Sequence, residues 1–88
     1  MAGTGKVLII DDEDDLRSIL NDVLSGEGFS VSEAINGEAG LEAYRNDPAH
    51  AVLLDLNMPQ MNGLETLNAI KLINPMVPII ILTAHGDI

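Results

Sequence analysis

Cysteine is missing from these 88 residues, as is tryptophan, and one Phe and one Tyr are the only aromatics. Without a thiol, disulfides, thiolate nucleophiles and zinc-thiolate sites are excluded. With so few rings the core must be aliphatic, and nucleic-acid bases have almost no aromatic platform to stack on. Positive charge is scarce too: four Lys and Arg stand against 14 Asp and Glu, a formal net charge of -10. Such a surface repels nucleic acid and anionic lipid, so neither direct nucleic-acid binding nor a membrane partner is expected. It suits a cation or a basic protein partner. No apolar run approaches membrane-spanning length, and Met1-Ala2-Gly3-Thr4-Gly5 lacks a basic stretch leading into an apolar signal core. A cytoplasmic location is the default expectation.

Hydrophobic residues make up 47% of the chain, enough for a folded core in one small domain. Residues 1–5 are expected to be irregular or disordered, and 6–88 to form the domain. Val7–Ile10 is a continuous apolar run, as in a strand covered on both faces. Leu16, Ile19, Leu20, Val23 and Leu24 follow the spacing of an amphipathic helix, with Gly26 and Gly28 as stop signals. A short strand Phe29–Ala34 precedes the Asn36-Gly37 turn. Glu38–Arg45 reads as a second helix, with Ala39, Leu41 and Ala43 among its apolar positions, closed by Asn46-Asp47-Pro48. Ala51–Leu54 is a second buried strand. After the loop Asn57–Gly63, a third helix runs from about Leu64 to Ile73, with Leu64, Leu67 and Ile70 spaced by three. Val77–Leu82 is a last β-branched strand. The alternation β-α-β-α-β-α-β implies an α/β fold, a parallel sheet with helices on both faces.

In such sheets ligands bind beyond the carboxyl ends of the strands. There the sequence puts Asp11 and Asp12, then Asp55, then Thr83, Ala84 and His85. Asp is also a good helix cap and a common turn residue, but capping does not explain why several strand ends carry matched acids. Converging carboxylates repel unless a cation compensates them. An all-oxygen donor set favours Mg²⁺, with Mn²⁺ possible, over zinc. An Asp carboxylate can serve as a nucleophile and form an aspartyl phosphate, and Thr83 offers a hydrogen bond to the phosphoryl oxygens.

Three strings together carry a family resemblance. Val7-Leu8-Ile9-Ile10-Asp11-Asp12-Glu13, Leu53-Leu54-Asp55-Leu56-Asn57-Met58-Pro59 with Gly63, and Ile79-Ile80-Ile81-Leu82-Thr83-Ala84 resemble, in order and spacing, the receiver domains of bacterial two-component response regulators. The resemblance runs from Lys6 to the last residue. It implies a flavodoxin-like (CheY-like) sheet of strand order 2-1-3-4. It implies that Asp55 is the phosphoacceptor, that Asp12 and Asp55 bind Mg²⁺ directly, and that Asp11 acts largely through metal-bound water. The backbone carbonyl of Asn57 would complete the protein ligands. Thr83 would be the switch residue, Asn57 and His85 would tune the lifetime of the phosphate, and Pro59 and Gly63 would shape the loop.

The partners so implied are a histidine kinase and an output domain or effector. The domain would catalyse only its own phosphorylation and dephosphorylation. The run Leu82–Ile88 looks most like receivers attached to ATP-hydrolysing transcription activators. Receivers continue through a further helix, a strand ending in a phosphoryl-pairing lysine and a last helix. These 88 residues have no counterpart of that helix-strand-helix, and neither Lys6 nor Lys71 matches the lysine. An apolar edge strand Val77–Leu82 is then expected to pair with another chain, giving a homodimer or oligomer. The alternative function is a non-switching interaction module with a vestigial acidic metal site. Asp55-Leu56-Asn57 also resembles, locally, the nucleophile motif of haloacid dehalogenase phosphatases, except that Asn57 stands where a second acid is usual.

Overall fold

The computed structural model describes residues 5–58 and 63–82. Its elements are β1 (Lys6–Ile10), α1 (Asp14–Gly26), β2 (Ser30–Ala34), α2 (Gly37–Asn46), β3 (Ala51–Leu54), α3 (Gly63–Ile73) and β4 (Ile79–Ile81). The four strands form one parallel sheet in the order β2-β1-β3-β4. The expected fold class and strand order are therefore what is observed. From β1 the chain steps to one side to reach β2, then twice in the other direction. Right-handed crossovers accordingly put α1 on one face and α2 and α3 on the other.

The alternation of side chains follows. Leu8 and Ile10 on β1, and Val52 and Leu54 on β3, are buried in one core with Tyr44 of α2, Ile70 of α3, Met58 and Val77. Val7 and Ile9 point the other way and are buried too. Asn36 starts α2: its side-chain oxygen accepts the Ala39 N–H at 2.8 Å. Gly28, in the left-handed region at φ 96°, follows the end of α1.

The buried faces of the helices coincide only in part with the apolar stripes read in the sequence: Leu41, Ala43, Leu67 and Ile70 do pack on the core, and other stripe positions do not. On α1, Ile19 and Val23 are each 58% exposed, and the buried residue is Arg17. On α2 the buried positions are Gly37, Gly40 and Tyr44, with Ala39 exposed. On α3 they are Gly63, Thr66 and Ile70, and Leu64 faces solvent. On α2 and α3 the buried positions keep helical spacing but mix small or polar residues with Tyr44 and Ile70. Gly40 shows the reason, because a Cβ there would fall 2.4 Å from Ile10 Cδ1. The helix backbone itself lies against the sheet, so a hydrophobicity count misses the contact.

β4 is shorter than the expected Val77–Leu82. Val77 is buried ahead of it, held by Lys71, whose ammonium donates to the Val77 carbonyl at 2.5 Å. Pro78 has no N–H to give a ladder, though its carbonyl accepts from Val52 N at 3.0 Å.

Candidate metal centre

The register fixes which strand ends meet. Ile10 is paired with Leu54, and Leu54 with Ile81. The next residues, Asp11, Asp55 and Leu82, thus leave the sheet side by side. Hydrogen bonds extend the ladder by one step: Asp11 N–H donates to the Ala34 carbonyl at 3.1 Å, Asp55 N–H to Ile10 at 2.9 Å and Leu82 N–H to Leu54 at 2.8 Å.

One carboxylate oxygen from each of Asp11, Asp12 and Asp55 lies within 4.8 Å of the others. Asp11 is 1% exposed and Asp55 3%, while Asp12 is open to solvent. Asp11 and Asp55 are held alike. Asp11 Oδ1 accepts the Glu13 N–H at 2.8 Å, and Asp55 Oδ1 accepts the Asn57 N–H at 2.9 Å. Each is a side-chain turn closing on the backbone two residues ahead. The capping alternative for Asp11 is thereby corrected: Glu13 occupies the cap position of α1 without a side-chain cap bond, and the bond from Asp11 lies before the helix.

Burial raises the Asp11 carboxyl above its ordinary value. The charges of Asp55, Asp12 and Glu13 push the same way, against the lowering effect of the Glu13 N–H. Anions arranged so that each raises the cost of the next are a donor set that fits a hard divalent cation. The residues present therefore suit Mg²⁺ or Mn²⁺. Asp12 and Asp55 come together as expected, and so does Asp11. Asn57 is exposed just past Asp55. Gly63 opens α3 under the Asp55 turn: its N–H donates to Leu56 O at 3.3 Å, and a Cβ on it would fall 2.2 Å from Leu56 Cα and 2.7 Å from the Asp55 carbonyl. Thr83, His85 and Pro59 lie outside the described residues, as do residues 1–4.

Sequence reasoning passed over Arg17, Glu33 and Asn21. Arg17 crosses from α1 to Glu33 of β2 (Nε to Oε1, 3.0 Å), binds Asp14, and donates from a terminal nitrogen to the Asp11 backbone carbonyl at 2.7 Å. Hydrogen bonds from Asn21 and then Arg17 hold the Glu33 carboxyl below its ordinary value. The available signal was Arg17 at helical spacing from Leu20 and Leu24, a cation in line with the half-buried side of α1.

A family model described as the response regulator receiver domain matches residues 7–88. Sporulation initiation phosphotransferase F of Bacillus subtilis is 37% identical over 83 residues, which cover 94% of this chain and 67% of that protein. The DNA-binding transcriptional regulator NtrC of Escherichia coli is 39% identical over 84 residues, 96% of this chain but only 18% of that one. The chain thus spans about two thirds of the first relative and under a fifth of the second. In three dimensions it resembles the chemotaxis protein CheY4 of Vibrio cholerae, with a TM-score of 0.90 at 28% identity, covering 97% of this chain and 72% of that one. No helix among the described residues is long and apolar enough to cross a membrane.

Proposed function

The chain belongs to the response regulator receiver domain family, signalling modules of two-component systems, and from that membership we propose that Asp55 accepts a phosphoryl group from a histidine kinase in a reaction requiring Mg²⁺. The observation that carries this reading is the convergence of Asp11, Asp12 and Asp55 within 4.8 Å at the ends of adjacent strands. Asp12 and Asp55 would hold the ion directly, Asp11 largely through water, and the Asn57 carbonyl would complete the set. When bound, Mg²⁺ neutralises the carboxylates and the incoming phosphoryl oxygens together.

Asp55 is the nucleophile. The Asn57 N–H fixes its Oδ1 at 2.9 Å, which restricts rotation of the carboxylate and orients it for in-line attack. The added charge, about -1.5 to -2, is received by the Thr83 hydroxyl and the loop shaped by Pro59 and Gly63. The side chains of Asn57 and His85 govern how readily water reaches the acyl phosphate. The resulting shift drives an output domain or effector, as expected for a relative of transcriptional regulators, while the chain's own chemistry is limited to gaining and losing the phosphoryl group.

Incubation with acetyl phosphate and Mg²⁺ is expected to add the mass of one phosphoryl group, absent in Asp55→Asn or with excess chelator. A wild-type chain that stays unmodified, while another receiver domain is labelled alongside, would sink the proposal.

A second reading is favoured by Ile80 and Ile81, both exposed on β4. In that reading the edge pairs with a second copy, giving an oligomer whose assembly ignores the phosphoryl state. Light scattering with and without beryllofluoride separates the two.

A further inference from the structure

Arg17 is the charged side chain of α1 that the fold buries, at 9% side-chain exposure, and neither nucleophile nor ligand chemistry accounts for it. We propose that Arg17 is a positioning residue for the cation site: it clamps the peptide joining Asp11 to Asp12, while Asp14 and Glu33 neutralise its charge so that it does not compete with the ion.

The clamp follows from peptide planarity. The Asp11 carbonyl, which accepts from Arg17 at 2.7 Å, and the Asp12 N–H belong to one rigid unit. Holding that oxygen sets the plane from which the Asp12 Cα departs. One residue further on, the Glu13 N–H is tied to Asp11 Oδ1 at 2.8 Å. The exposed Asp12 is thus suspended between two anchored points, and its carboxylate reaches the cluster because its backbone has little freedom.

The guanidinium is itself fixed from several sides. Its Nε donates to Glu33 Oε1 at 3.0 Å and another nitrogen bonds Asp14. Glu33 has little room to turn, because Asn21 donates to its Oε2 at 2.6 Å and Ser25 in turn donates to Asn21 Oδ1 at 2.7 Å. Residues 17, 21 and 25 form one row along α1, so the helix carries the whole brace. A planar fork reaches three acceptors at once, whereas a lysine ammonium is a single compact charge without that geometry.

Charge is the other half. A bare guanidinium beside three metal-binding carboxylates would act as their counter-ion and oppose a divalent cation. Two carboxylates already face Arg17, so that group carries net negative charge and the site stays anionic.

This inference rests on the cation reading above, and the test separates the two. Mn²⁺ affinity of the full chain is read from the electron paramagnetic resonance signal of the free ion, and Mg²⁺ affinity by calorimetry. Both are taken below the melting point of each variant, with circular dichroism confirming the fold. Arg17→Ala and Arg17→Lys are both expected to weaken Mn²⁺ binding about 10- to 100-fold, the usual loss when support behind a ligand is removed. Glu33→Gln, which keeps an acceptor but uncovers the positive charge, is expected to weaken it by a smaller factor that shrinks as salt is raised. If folded Arg17→Lys and Arg17→Ala both bind Mn²⁺ as wild type does, Arg17 is only a structural brace and the inference falls. If wild type takes up no Mn²⁺ at all, the cation reading falls, and the inference with it.

Discussion

β1 and β3 lie side by side, and their two ends follow opposite electrostatic rules. At the amino ends, the Lys6 ammonium meets Asp47 at 2.6 Å and the Lys6 N–H donates to His50 Nδ1 at 2.8 Å, so opposite charges and matched donors close the sheet. At the carboxyl ends, Asp11, Asp12 and Asp55 bring like charges within 4.8 Å, two of them buried. The strands are the same and only the residues flanking them change. A chain selected for stability alone would pair both ends, so the end left in conflict is the one where a cation or phosphoryl group is expected to act.

The largest way to break this contrast is Gly63→Ala. The new Cβ would meet backbone at 2.2 Å, which no side-chain rotation relieves. A loss of about 3 kcal/mol in unfolding free energy is expected, at the upper end of overpacking costs. Urea denaturation measures it, and an unchanged midpoint would mean that α3 sits further from Leu56 than described. The amino-end pair Lys6–Asp47 should be untouched.

A smaller effect of opposite sign is expected from Asp11→Asn. Because the Asp11 carboxyl is raised from its ordinary value of 3.8, the metal-free fold loses stability as pH rises through the interval from that value to the raised one. Asparagine keeps an oxygen for the Glu13 N–H but removes the charge. The metal-free protein should then gain about 1 kcal/mol at pH 7, in the range seen when stability is recovered at a functional site. The pH slope should flatten, and Mg²⁺ binding should weaken at the same time. Glu33 contributes with the other sign, since its lowered carboxyl gives stability that is lost as pH falls through the folded value. Thermal melts from pH 3 to pH 8 would show both; a destabilised Asp11→Asn protein would refute the conflict at the carboxyl end.

The smallest effect is expected from Asp47→Asn. Lys6 and Asp47 are about half exposed, and such surface pairs contribute less than about 0.5 kcal/mol with marked salt dependence. A melting point that drops as far as for a core substitution would show that the amino end matters more than its exposure suggests.

Much of this was legible in the residues themselves. The apolar runs Val7–Ile10 and Ala51–Leu54 are strands with nearly the expected bounds, and the acids that follow them meet because parallel pairing in register leaves no other option. The helix faces were less legible. Periodicity counts apolar side chains, whereas α2 meets β1 through Gly40 and α3 starts against the Asp55-Leu56 backbone through Gly63, where there is no side chain to count. Arg17 was hidden for the same kind of reason: a cation reads as a solvated position until its three acceptors, on β2, α1 and the Asp11 carbonyl, are brought together by the tertiary fold.

The paired turns at Asp11 and Asp55 have a consequence for timing. Each carboxylate has one oxygen tethered by an amide two residues ahead, so both torsional rotors are frozen when the chain folds and need not be stilled again at each encounter with a ligand. The cost of ordering these groups falls once, during folding, and under the proposed function an arriving ion or phosphoryl donor would meet acceptors already facing a set direction. At these two side chains little would then have to settle before the site reacts.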